Sequence, residues 1–146
     1  MADKRPLALL VELAQERRDA AGQRLGRSLL LLKDSESRLA LLERYRDEYQ
    51  DRYTRTGTSG VGPQELRNFR EFLERLDKAV AQQRAEVEAL ARGASESRGR
   101  WLTERTRGKS LDVLSGRAAD AERASEARQQ QKLLDEFSGR QTPATQ

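Results

Sequence analysis

The chain has 146 residues, enough for one domain, yet only 36% are hydrophobic and 5% aromatic while 36% are charged. Its 28 Lys+Arg stand against 24 interleaved Asp+Glu, a formal +4 that is too small and too opposed for a phosphate-tracking surface. There is no Cys and no His, which excludes disulfides, thiolate and imidazole metal sites, and every nucleophile–histidine pairing. No cofactor and no enzymatic activity are expected from such a composition.

The N-terminal run Leu7-Ala8-Leu9-Leu10-Val11 briefly imitates a signal peptide. Glu12 interrupts it, and Glu16, Arg17, Arg18 and Asp19 follow, so the run is too short for a membrane span. A cytoplasmic chain without membrane insertion is the expectation.

A first helix is predicted over about 6–54. Its 3/4-spaced row is Leu7, Val11, Ala14, Arg18, Ala21, Leu25, Ser28, Leu32, Ser35, Leu39, Leu42, Arg46, Tyr49 and Tyr53. Ten of these fourteen are apolar or aromatic, where the composition predicts about five. Leu29-Leu30-Leu31-Leu32 encircles this helix with leucine, of which a single partner helix can cover only one or two.

The segment Thr54 to Pro63 carries three glycines, small hydroxyl residues and a proline, and marks a loop over 55–62. Gly57 suits the left-handed helix end, Pro63 the first turn of the next helix, and Glu65 its positive end. A second helix is predicted over about 63–137. Its row is Leu66, Phe69, Leu73, Leu76, Val80, Gln83, Val87, Leu90, Ala94, Ser97, Trp101, Glu104, Gly108 and Leu111, and again ten of fourteen fit. Residues 138–146, small and polar, are predicted to be a disordered tail.

The two rows match when the chain folds back at the glycine loop. The fold class is therefore all-α, a single antiparallel two-helix coiled-coil hairpin whose second helix is the longer. Tyr53 then meets Leu66, Leu7 falls opposite residue 112, Gly26 faces Gly93 across a soft waist, and Arg18 stacks over Trp101. A partner-binding role is the other reading of Trp101. Residues 112–137 overhang the first helix by ~40 Å at 1.5 Å per residue. Charge pairs at i,i+4, Asp34–Arg38, Glu48–Arg52, Glu71–Arg75 and Glu74–Lys78, add a few tenths of a kcal/mol each.

Two motif fragments carry no chemistry. Gly108-Lys109-Ser110 resembles the end of a phosphate loop, but Thr103 stands where that loop needs glycine and no strand precedes it. Gly22-x-x-x-Gly26 lies on a polar helix where membrane packing does not apply.

Near the loop the apolar stripe is wider than a seam requires. Tyr45, Phe72 and Ala79 flank the row residues Leu42, Tyr49 and Leu76, at spacings that put each set on one helical stripe. Such a patch suits a protein interface, and equally a broader packing stripe.

The pattern Leu42-x-x-Tyr45-x-x-x-Tyr49, the Gly/Pro loop, Leu66-Arg-Asn-Phe69-x-x-Phe72-Leu73-x-x-Leu76, Gln82-Gln83 and Val87 resembles the FliJ family of flagellar type III export chaperones. Glu16-Arg17-Arg18, Trp101 and Gln131-x-x-x-Asp135-Glu136-Phe137 extend the resemblance over almost the whole chain. It implies a hairpin similar to the stalk of rotary ATPases, bridging the export ATPase FliI and the export gate protein FlhA at the inner membrane of the flagellar base. The ATPase regulator FliH and export chaperones are further candidate partners. The family's gate-binding surface maps to Leu42, Tyr45, Tyr49, Phe72, Leu76 and Ala79, with Arg38 and Gln83 at its flanks. Arg17, Arg18, Arg105 and Arg107 are candidate ATPase contacts. The rival readings are a coiled-coil scaffold that self-associates through its leucine surfaces, and nucleic-acid binding through Arg98–Lys109.

Overall fold

The computed structural model describes residues 5–58 and 60–141, with the side chains of residues 58 and 141 left aside. They form two helices packed antiparallel, α1 (Arg5–Thr58) and the longer α2 (Pro63–Gln141). The residues fall into two compact units. One joins the first part of α1, to Asp19, with α2 from Thr103 onward, and the other spans Ala20–Leu102 and includes the turn.

Periodicity dictates what is buried. All fourteen row positions of α1 and all fourteen of α2 are buried or half-buried, while most other positions are exposed. The seam is narrow. Buried along it are Ser35, Val80, Ala94, Ala14 and Ala21, at 3–9% exposure, together with Gly108, and among the described residues no large side chain is fully enclosed.

In the 20–102 unit the polar members of the rows meet one another. Ser28 Oγ and Ser97 Oγ are 3.1 Å apart. Gln83 Nε2 donates to Ser35 Oγ at 2.8 Å and to the Ser35 carbonyl at 3.1 Å. Sliding the helices by one step would leave these groups dry and unpaired, at about 1–3 kcal/mol each. The seam therefore selects its register through its polar layers as much as through its leucines.

That register corrects several expectations. Near the turn, Tyr49 meets Phe69 and Ser35 meets Gln83 as the simple fold-back requires. Farther on, Trp101 lies beside Gly22, and Ser28 meets Ser97, several residues beyond the simple fold-back. Gly26 and Gly93 both border open space. A Cβ added at either would meet nothing within 4 Å, whereas one added at Gly22 would touch the Trp101 indole at 3.4 Å. The close approach has moved with the register.

In the other unit, Leu7 and Ala8 lie against Ser115, Ala118 and Ala119 instead of residue 112. The α2 stripe accordingly continues through Glu122, and uniform exposure begins at 123. The overhang starts about three turns later than the apolar row alone implied.

The turn is shorter than expected because α1 runs on to Thr58. Gly57 stays helical, and Gly60, at φ 79°, takes the left-handed conformation instead. Pro63 opens α2, Glu65 lies in its first turn, and Leu66 N donates to Gly62 O at 3.2 Å. At the far end, residues 138–141 continue α2 instead of starting a tail, and 142–146 lie outside the described residues. No described helix is long and apolar enough to cross a membrane.

Candidate partner-binding site

The seam near the turn has two unlike flanks, both within the 20–102 unit. On one flank, charges cross between the helices. Arg46 pairs with Asp77, and Arg84 donates to Glu43 Oε1 from Nε at 3.2 Å and Nη2 at 3.0 Å. The hydrogen bond to Asp77, reinforced by that carboxylate's charge, holds the Arg46 guanidinium above its ordinary value. These pairs are exposed and add little stability, but they close that edge with satisfied polar groups.

On the other flank the edge is aromatic and open. Tyr49 is half-buried in the seam, with its ring centroid 5.1 Å from Phe69 and 4.5 Å from Phe72, both tilted. Tyr53 extends the cluster to Phe69 at 6.2 Å. These separations suit edge-to-face contacts worth ~0.5–1.5 kcal/mol each. The cluster holds Phe72 in place although 42% of it is exposed, and Tyr45 beside it is 53% exposed.

Tyr45, Glu48, Tyr49, Arg52, Phe72 and Leu76 enclose a groove of about 340 Å³. Four of the six residues expected at the gate-binding surface line it. Leu42 and Ala79 are half-buried on the adjoining seam and do not line it. Glu48 and Arg52, expected only as a helix-stabilising pair, are its polar rim. Of the flanking positions, Arg38 is an exposed partner of Asp34 at 3.1 Å, and Gln83 is committed to Ser35. A groove of this kind accepts one or two apolar side chains, with a cation and an anion to orient the backbone that carries them.

The four arginines expected at an ATPase contact all belong to the other unit. Arg17, Arg105 and Arg107 are exposed and Arg18 half-buried. Arg18 Nε lies 3.6 Å from Asp19 Oδ1, and Arg107 Nη1 3.6 Å from Glu104 Oε1. None of the four lines the groove described for that unit. The shallow groove described for that unit is lined by Leu7, Ala8, Ser115, Ala118 and Ala119. More prominent there are the exposed Leu9, Leu10, Leu13, Val113 and Leu114. Sequence reasoning passed over them because the N-terminal leucines were weighed only as a membrane signal.

No cluster of three or more metal-ligating side chains occurs among the described residues. A groove edged by aromatic rings, with no activated nucleophile beside it, is built to bind.

Comparison with known proteins agrees over nearly the whole length. The family profile described as flagellar FliJ protein matches residues 3–144. The flagellar FliJ protein of Escherichia coli (strain K12) is 26% identical over 140 residues, covering 96% of this chain and 95% of the relative. The flagellar FliJ protein of Salmonella typhi shows the same identity and coverage.

Proposed function

The chain belongs to the flagellar FliJ protein family, a non-enzymatic component of flagellar export, and we propose that it bridges the export ATPase FliI and the export gate protein FlhA. The 20–102 unit meets the gate through the Tyr45–Phe72 groove. Arg17, Arg18, Arg105 and Arg107 of the other unit meet the ATPase, and FliH and export chaperones are further partners of the same assembly. The protein works in the cytoplasm against the inner membrane at the flagellar base.

One observation carries this reading. Four of the six positions taken from the family pattern, Tyr45, Tyr49, Phe72 and Leu76, line one groove, where the rings of Tyr45 and Phe72 stay exposed beside the seam. A merely wider packing stripe would have buried Tyr45 and Phe72. The small size of the patch suits a contact that forms and breaks during export. Family membership also weighs against a scaffold unrelated to secretion.

The test is titration of the gate's cytoplasmic domain with the wild-type chain and with Tyr45→Ala/Phe72→Ala. The double variant should keep its helical signal and lose gate binding by tenfold or more, about 1.4 kcal/mol at least. Unchanged affinity refutes the assignment. Lost helicity would show that the rings are core.

A further inference from the structure

A second groove in the 20–102 unit is larger than the first and lies outside the proposed gate surface. Leu25 and Leu29 on α1, with Ala94, Ser95, Arg98 and Trp101 on α2, enclose about 440 Å³. Leu29 is 50% exposed, and Leu102, which follows Arg98 by one turn, is 42% exposed.

The two segments that carry this groove are rich in cations. Residues 24–33 contain Arg24, Arg27 and Lys33 and no acid. Residues 92–102 contain Arg92, Arg98 and Arg100 against Glu96. Of these six cations, Arg98 and Lys33 share the groove's stripe, whereas helical spacing turns Arg24, Arg27, Arg92 and Arg100 away from it. Among the described residues, none of these six cations forms an ion pair, whereas Arg46 and Arg84 beside the first groove do. Arg98 lines the groove itself, and Lys33 follows Leu29 by one turn on the same stripe.

We propose that this groove docks an acidic amphipathic helix of another protein, which lies along both flank stripes as the third helix of a local bundle. The apolar requirement comes from Leu25, Leu29 and Trp101, which need side chains at i, i+3/i+4 and i+7 to fill the furrow between two helices. The acidic requirement comes from Arg98 and Lys33, neither of which is ion-paired among the described residues, and whose field acts within about 8–10 Å at physiological salt. A second copy of this chain docking through the same groove would set Arg98 and Lys33 against their own counterparts, so self-association there is opposed. A bilayer would not use the concavity. Nucleic acid would use the cations and leave the leucines in water.

Trp101 is the chain's one tryptophan and lines the groove, so its emission reports occupancy directly. The full-length protein is titrated with a synthetic, tryptophan-free, helix-stabilised peptide carrying leucines at i, i+3 and i+7 and Glu or Asp elsewhere. A saturable change in Trp101 emission is expected. It should weaken about tenfold when Arg98→Glu and Lys33→Glu are combined, and comparably with Leu29→Gln; these side chains are exposed or line the groove, and circular dichroism checks that the variants fold. Raising salt should weaken the binding as well. The proposal is overturned if the acidic peptide causes no saturable change, or if a lysine-for-glutamate version binds equally well. It is also overturned if phosphatidylglycerol vesicles or a DNA duplex bind more tightly than the peptide, or if sedimentation shows dimers lost on Leu29→Gln.

Discussion

Tyr49 and Tyr45 lie one turn apart on α1, and the structure gives them opposite duties. Tyr49 is half-buried and touches both Phe69 and Phe72, while Tyr45 is 53% exposed and makes no ring contact of its own among the described residues. Truncating a fully buried aromatic to alanine costs ~3–5 kcal/mol. Half that burial, together with the removal of two tilted ring pairings, puts Tyr49→Ala at about 2–3 kcal/mol. Tyr45→Ala removes mostly exposed surface and also gains helix propensity, so its effect should fall within ~0.5 kcal/mol of zero. Urea unfolding followed by the helical circular-dichroism signal separates them. With a slope of ~2 kcal/mol per molar, Tyr49→Ala should lower the midpoint by about 1–1.5 M while Tyr45→Ala leaves it in place. Equal shifts for the two variants would refute the division of this stripe into a structural ring and a displayed one.

Three further outcomes follow from the same geometry. Gly26→Ala and Gly93→Ala should each stabilise the chain by about 1 kcal/mol, because the helix gains propensity and the new methyl meets nothing; thermal unfolding should show each midpoint rising by a few degrees. Gly60→Ala should cost about 1–2 kcal/mol, since only glycine holds φ 79° without strain, and Gly57→Ala, on a helical residue, should stabilise instead. Thermal midpoints at pH 6 and pH 8 should agree within about 1 °C, because the chain has no histidine to titrate there. Arg46 does not alter this. Its raised pKa leaves its contribution intact below the ordinary arginine value and removes it only as pH rises through the still higher folded value.

Much of the fold was legible because an amphipathic helix advertises its buried face locally. The rows from Leu7 to Tyr53 and from Leu66 to Leu111 needed only the 3.6-residue period, and every position in them is at least half-buried. That Tyr45 and Phe72 sit one position off that row was legible for the same reason, whereas their exposure was not, since a broader packing stripe has the same spacing. Pro63 and Glu65 at the start of α2 needed only local turn and dipole rules.

What the period could not decide is how far one helix slides along the other, because leucine against leucine is nearly indifferent to a one-step shift. Directional bonds break that tie: Gln83 to Ser35 and Ser28 to Ser97 are satisfied in one register and orphaned in its neighbours. That choice moved Trp101 to Gly22, opened the groove beside Leu25 and Arg98, and put Arg46 within reach of Asp77. Sequence alone settled which face of each helix turns inward. Only the packed pair settled which side chains meet across it, since that depends on partners dozens of residues away.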